Sequence, residues 1–389
     1  MKPKPVLRDT AFDLLGDETA ALRPAADSGA MASIAPTGIN LLFPAADSLD
    51  YSRYLSREIS LKHELHNPKG PIGSLWLRGF PFRHLTADTL TELIFRLCTR
   101  VNLEKTPESV RGIELTPEDC GREQLALIKG LGFGVVRLRL DARIAADDRS
   151  LDKVSAVLER IKDFRDISVQ SEVLISSDTA PRYLNRLIEG IKAHCEEIEL
   201  VPDNGACEPE EDANRMQTLL LPAANNLMTH GFQMFGESCF KSPEHGDVIL
   251  RHNKRLRYAP WGYYNLSVSQ WLGLGVGAAG ISSGFFYRNL GQLTPYLKRI
   301  DRQQSPVASW SCRPLDSQFL YRFLQESFCY RHLFCEGYRL DPEFIAELRA
   351  LGWLEDYAHP PSLTTLGALN LQHILRRIAT AKRVVTWDN

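Results

Sequence analysis

The stretch Arg251-His252-Asn253-Lys254-Arg255-Leu256-Arg257-Tyr258-Ala259-Pro260-Trp261-Gly262-Tyr263-Tyr264 gathers the residues best suited to chemistry: four Lys/Arg in seven positions, then four aromatics in the next seven. Guanidinium groups pair carboxylates bidentately and stack on rings, while aromatic faces accept planar ligands. The mixture suits an acidic ring-bearing small molecule. It also suits single-stranded nucleic acid, or a solvated basic loop running into a buried strand. A formal net charge of −2, from 46 Lys+Arg against 48 Asp+Glu, argues against nucleic acid, because tracking phosphates needs a cationic excess.

The eight cysteines lie at 98, 120, 195, 207, 239, 312, 329 and 335, and no C-x-x-C or C-x-x-x-C occurs. Cys329 and Cys335 bracket His332, but nothing nearby completes a zinc or cluster ligand set; two buried thiols are the simpler reading. His63 and His66 are three apart around Glu64, which is not the H-E-x-x-H spacing and reads as solvated helix surface. His194, His230 and His245 are isolated. No G-x-S-x-G elbow, Walker loop or Rossmann glycine fingerprint is present, so hydrolase, kinase and dehydrogenase readings have no support.

Apolar runs at 39–43, 74–78, 112–115, 135–140, 167–175, 198–201 and 232–235 predict strands. Amphipathic patterns at 51–66, 86–100, 117–131, 149–164, 180–194 and 210–229 predict helices between them, with start signals at Thr116-Pro117-Glu118 and at Thr179 before Pro181. That alternation demands a parallel sheet, and about six βα units predict a partial TIM-like (βα)6 barrel, with function at the carboxyl ends of its strands. After about 290 helices dominate, one opening at Asp341-Pro342-Glu343 and another at Ser362 or Thr364. The uncharged stretch 263–287 is long enough to span a membrane, but its five glycines and its Asn, Ser and Gln residues predict a buried, turn-rich segment instead. Residues 1–35 predict a flexible arm whose apolar stretch is broken by Asp9, Asp13, Asp17, Glu18 and Arg23, unlike a signal peptide, so a cytoplasmic location is expected. The repeat of PAADS at 24–28 and 44–48 is too short to build an architecture.

Five strings in order carry a resemblance. Leu77-Arg78-Gly79-Phe80-Pro81 is similar to a GGGTP turn, Ile113-Glu114-Leu115-Thr116-Pro117 to an E-x-N-P strand end, and Gly134-Val135-Val136-Arg137-Leu138-Arg139-Leu140 to GVNRLSLGVQ. Trp271-Leu272-Gly273-Leu274-Gly275-Val276-Gly277-Ala278 is similar to a GLGxGA turn and Leu363-Thr364-Thr365-Leu366-Gly367 to LTxxG. Together they resemble the radical S-adenosylmethionine enzymes related to oxygen-independent coproporphyrinogen III oxidase, which include HemW-like haem chaperones and anaerobic haem-degrading relatives. The resemblance implies a radical-SAM-like partial barrel over 36–290 and, over 291–389, the helical C-terminal domain of that family.

The departures decide what chemistry is expected. The family's C-x-x-x-C-x-x-C loop follows the first strand, where this chain reads Leu41-Leu42-Phe43-Pro44-Ala45-Ala46-Asp47-Ser48, and no cysteine precedes Cys98. Without three thiolates no [4Fe–4S] cluster is expected, and radical chemistry is expected to be lost. Arg78 and Phe80 stand where glycines let backbone approach the cofactor; Arg143 stands at the ribose-contacting glutamine, while Glu114 is retained. The expected function is a cluster-less pseudoenzyme that binds a tetrapyrrole, haem or porphyrin, or supports an active paralogue. The alternative is a small-molecule enzyme using S-adenosylmethionine for polar chemistry. The expected ligand-binding residues are Arg78, Phe80, Glu114, Arg137 and Arg143 at the strand ends, lidded by Arg255, Arg257, Trp261 and Tyr264. Expected partners are an acidic planar small molecule and an active paralogue, with no nucleic acid and no membrane span.

Overall fold

Strands and helices alternate through the first half of the chain in the order that the patterning predicts. They are β1 (Thr37–Leu42), α1 (Tyr51–His66), β2 (Ile72–Arg78), α2 (Ala87–Cys98), β3 (Val110–Leu115), α3 (Arg122–Gly130), β4 (Val135–Asp141), α4 (Asp148–Asp163), β5 (Ser168–Ile175), α5 (Pro181–Ile191) and β6 (Glu197–Pro202). The computed structural model describes residues 37–44, 51–66, 71–101, 109–176, 178–202, 216–259, 261–268, 270–282, 285–311, 315–334, 338–356, 359–381 and 384–386. The arm over 1–35, Cys207, Cys312 and Cys335 lie outside the described residues.

Strands β1 to β6 pair in parallel and in chain order. A later strand, β11 (Gln270–Gly275), adds in parallel to the free edge of β1. This architecture is the partial TIM-like α/β barrel, with mostly helical structure in the C-terminal part of the chain. Beyond β11 the sheet continues antiparallel through β12 (Ala279–Ser282), β13 (Phe285–Asn289) and β14 (Val307–Ser311). Beyond β6 it ends in the short hairpin β7 (Gln233–Phe235) and β8 (Cys239–Lys241).

Two expectations are corrected here. The stretch 263–287 is chiefly strand rather than turn, and Gly273, Gly275 and Gly280 mark close approach of neighbouring atoms, while Gly277 sits in the turn after β11. A Cβ on Gly275 would lie 2.0 Å from the Leu42 carbonyl oxygen, and its φ of 104° is a conformation that side chains disfavour. The run at 232–235 is an outer antiparallel strand, not a further βα unit.

The helices cover the sheet with regular apolar faces. In α4, Val154, Val157, Leu158 and Ile161 are buried at helical spacing, and the Asp147 carboxylate caps the start by accepting from the Ser150 amide at 3.0 Å. Each such fully buried aliphatic side chain contributes about 1.5–3 kcal/mol. The remaining helices are α6 (Leu221–Thr229), α7 (Gly246–His252), α8 (Leu293–Asp301), α9 (Leu315–Tyr330), α10 (Pro342–Ala350), α11 (Thr365–Leu369) and α12 (Leu371–Ala381). Asp341 and Thr364 cap α10 and α11 as their positions predict. Two small ribbons complete the fold: β9 (Leu256–Ala259) with β10 (Gly262–Asn265), and β15 (Tyr338–Leu340) with β16 (Val384–Thr386). No helix among the described residues is long and apolar enough to cross a membrane.

Candidate functional site

Strand parity fills the barrel interior with charge. Parallel register places Glu114 beside Arg137, Arg137 beside Gln170 and Gln170 beside Glu197; one step on, Arg139 stands beside Glu172 and Glu172 beside Glu199. The intervening Ile113, Leu115, Val136, Leu138 and Leu200 belong to the apolar core under the helices, so the charged set faces inward. Arg137 is buried, its Nε and Nη1 each 3.3 Å from Glu172 and Glu197, and its Nη2 paired with Glu199. Burial opposes its charge, but Glu197, Glu172 and Glu114 outweigh that and raise its pKa.

The network continues outward through Lys241, which pairs with Glu197 and lies 2.9 Å from Asp247. Burial would raise the Glu197 carboxyl, yet Lys241, Arg137 and His245 hold it well below the ordinary carboxylate range. Burial, then Lys241, push His245 below its usual value against Asp247 and Glu197. Both shifts have the same consequence in acid. The unfolded chain takes up protons that the folded His245 and Glu197 refuse, so stability falls as pH drops from 7 through the ordinary histidine range and further through the carboxylate range. Urea midpoints measured from pH 7 to 5.5 are expected to decline in the native protein and to decline less in His245→Asn, which can still cap α7. An unchanged slope in that variant would contradict the assignment to His245.

At the carboxyl ends of the strands lies a cavity of about 370 Å³. Its rim carries Arg78, Arg83, Arg139 and Arg288 against two carboxylates, Glu114 and Glu172. Glu114 is committed to the wall: one oxygen lies 3.3 Å from the Arg78 guanidinium and the other accepts from the Gly79 amide at 2.8 Å. Phe80 sits in the left-handed region at φ 61°, an uncommon conformation for a bulky residue, with its ring bordering the cavity. The guanidinium carbons of Arg83 and Arg139 stand 4.8 and 4.4 Å from that ring's centre. Arg139 also reaches Glu172 at 2.8 Å, whereas no acidic partner for Arg83 is found among the described residues.

Of the residues expected from sequence, Arg78, Phe80, Glu114 and Trp261 border this cavity. Arg137 does not; it is packed among its carboxylates in the barrel. Arg143 lies outside, 52% exposed and held by Asp141 and Asp178. Arg255 is exposed, and Arg257 lies on β9, where its guanidinium donates to the Leu256 carbonyl. Tyr264 packs edge-on to Trp271 in an aromatic cluster with Trp76 and Trp261. The basic end of the 251–264 segment therefore does not border the cavity that its Trp261 helps to wall. Sequence reasoning missed Arg83, Arg139, Arg288 and Asn40. Arg139 was recoverable, since it shares strand parity with Arg137.

The cofactors implied by the resemblance can be tested against these residues. Burial raises the Cys120 and Cys195 thiols to about 12, and that of Cys329 far above its usual value, and no described cysteine borders the cavity. Among the described residues the ligand-type cluster is Glu197, His245 and Asp247, where Lys241 already supplies the cation. These residues do not fit a [4Fe–4S] cluster. The Arg78 guanidinium is engaged by Glu114 and the Trp261 carbonyl, and Arg143 lies outside the cavity. Among the described residues bordering the cavity there is no His, Cys, Met or Tyr, so a haem iron finds no axial ligand there.

No family model and no curated protein sequence matches the chain. Its fold does match a solved structure. Coproporphyrinogen III oxidase (HemN) from Escherichia coli, described as a radical SAM enzyme, superposes with a TM-score of 0.73 at 14% identity, covering 89% of this chain and 91% of that one. HydG, a maturase of the [FeFe]-hydrogenase, aligns over 44% of each chain at 12% identity and a TM-score of 0.28. The chain thus has the fold of the coproporphyrinogen oxidase across nearly its whole length.

Proposed function

We propose that this chain, a HemN-like barrel without the cluster-binding cysteines, binds an acidic tetrapyrrole at the barrel mouth and performs no radical chemistry. The observation that carries the reading is the cavity rim: four arginines against two carboxylates, with two of the guanidinium groups close to the Phe80 ring. Propionates would pair with the arginines while a pyrrole face lies against Phe80 or Trp261. The polar-chemistry alternative rested on Glu114, whose oxygens are already engaged by Arg78 and Gly79.

Titration with coproporphyrin III, followed by tryptophan quenching, is expected to saturate, and its uncharged tetramethyl ester to bind at least about tenfold more weakly through loss of the carboxylate contacts. Equal binding of acid and ester would contradict recognition through the rim. Anaerobic incubation with iron, sulfide, a reductant and S-adenosylmethionine is expected to yield no 5′-deoxyadenosine; its formation would overturn the non-radical reading.

Support of an active paralogue is the second reading. It is favoured by the outer surface at 249–266, where exposed Lys254 and Arg255 neighbour Ile249, 59% exposed, and Leu266, 49% exposed. Charge reversal at Lys254 and Arg255 should leave porphyrin affinity unchanged if the cavity is the binding site.

A further inference from the structure

Resting on that reading, we propose that Tyr51, Glu58 and Asn289 are positioning residues for the ligand: they fix the cavity wall formed by Gly277, Ala278 and Ala279 without bordering the cavity themselves. All three are buried, at 0% to 1% exposure. The Tyr51 hydroxyl accepts from the Val276 amide at 2.8 Å and donates to the Leu42 carbonyl at 3.0 Å, so one oxygen ties together the carboxyl ends of β11 and β1. One Glu58 oxygen accepts from the Gly275 amide at 2.7 Å. The other accepts at 2.7 Å from the Asn289 carboxamide nitrogen, which also donates to the Gly275 carbonyl at 2.7 Å. Lys62 lies 3.0 Å from Glu58 and 3.0 Å from the Asn289 carboxamide oxygen, and it donates to the Gly273 carbonyl.

The main-chain groups held in this way lead directly into the wall. Leu42 and Arg288 border the cavity alongside Gly277, Ala278 and Ala279, and Asn289 follows Arg288 in the chain, its own amide donating to the Ala278 carbonyl at 2.9 Å. Gly275 and Gly277 sit at φ 104° and 70°, so this stretch carries glycine's conformational freedom. Fixing it before the ligand arrives removes an ordering cost from binding. Stability alone gives little reason for the arrangement, because a buried ion pair can often be replaced by apolar residues of similar volume without loss. The role assigned to Glu58 is to give the wall a single geometry.

The test compares two variants of the intact chain that each remove one buried hydroxyl from the same cluster. Tyr51→Phe frees the Val276 amide and the Leu42 carbonyl, whereas Tyr296→Phe removes a hydroxyl that donates at 2.7 Å to the Glu58 side chain rather than to the wall's main chain. At a temperature where circular dichroism shows both folded, Tyr51→Phe is expected to weaken coproporphyrin III binding about threefold to tenfold, and Tyr296→Phe by less than about twofold. Hydrogen exchange read by mass spectrometry supplies a second readout: without ligand, residues 273–279 of Tyr51→Phe should exchange faster than in the native chain while α4 is unchanged, and coproporphyrin should slow them again. Asn289→Ala, which frees the Gly275 carbonyl, carries the same expectations should Tyr51→Phe not fold. Equal affinity changes in the two tyrosine variants, or exchange that quickens at α4 as well, would overturn the positioning role by showing a general loss of stability. Native affinity in Tyr51→Phe, beside a native chain that binds, would overturn it too. Failure of the native chain itself to bind coproporphyrin would overturn the tetrapyrrole reading, and this role with it.

Discussion

Arg137→Leu is expected to lose about 3–5 kcal/mol of folding stability, a large part of the roughly 5–15 kcal/mol that holds a typical native protein. The cause lies in what stays behind. Arg137 is buried against Glu172, Glu197 and Glu199, with Glu114 close enough to raise its pKa, so its removal strands several carboxylates in a site that water does not reach. Lys241 can neutralise only part of that charge, because it is shared between Glu197 and Asp247. Arg143→Ala supplies the contrast. Its pairs with Asp141 and Asp178 lie in solvent, which screens them, so little stability is expected to be lost. Urea unfolding of both variants decides the matter: a loss under about 1 kcal/mol in Arg137→Leu would show that the interior network is dispensable.

The second large effect is on affinity. Arg83→Ala and Arg139→Ala are each expected to weaken coproporphyrin binding by about tenfold or more, because a charged hydrogen bond to a carboxylate is worth about 1.5–3 kcal/mol. The effect should be larger for Arg83, which has no protein carboxylate to compete for it among the described residues, than for Arg139, which shares Glu172. Raising salt should shrink both effects, since the rim is partly solvated. Arg255→Ala and Arg257→Ala should change little. Equal losses at all four positions would mean that the ligand senses overall charge rather than the cavity.

The fold was legible wherever local pattern and tertiary position agree. Six strands and the helices between them follow from apolar periodicity, and the caps Asp341 and Thr364 mark two helix starts. The seventh parallel strand was not legible, because Gly273 and Gly275 weaken every strand signal. Their value is tertiary: a Cβ on Gly273 would meet the Ala279 carbonyl oxygen at 2.2 Å. The site was half legible. Arg78, Phe80 and Glu114 follow from the motif-like strings, and Trp261 from its aromatic run. The dense basic run drew attention to Arg255 and Arg257, yet neither borders the cavity. Arg83 and Arg288 carry no local signal; a short turn after Pro81 and the hairpin strand β13 bring them to the rim. Asn40 was hidden because a single Asn in an apolar strand reads as an exception to burial.

A structure of the chain with a bound tetrapyrrole carboxylate tests the account most directly, because it locates the ligand as well as detecting it. The account predicts the ligand at the carboxyl ends of the barrel strands, with carboxylates at hydrogen-bond distance from the Arg83 and Arg139 guanidinium groups and a pyrrole ring beside Phe80 or Trp261. Ligand found instead on the basic surface at 252–257, with the cavity at the barrel mouth empty, would contradict it.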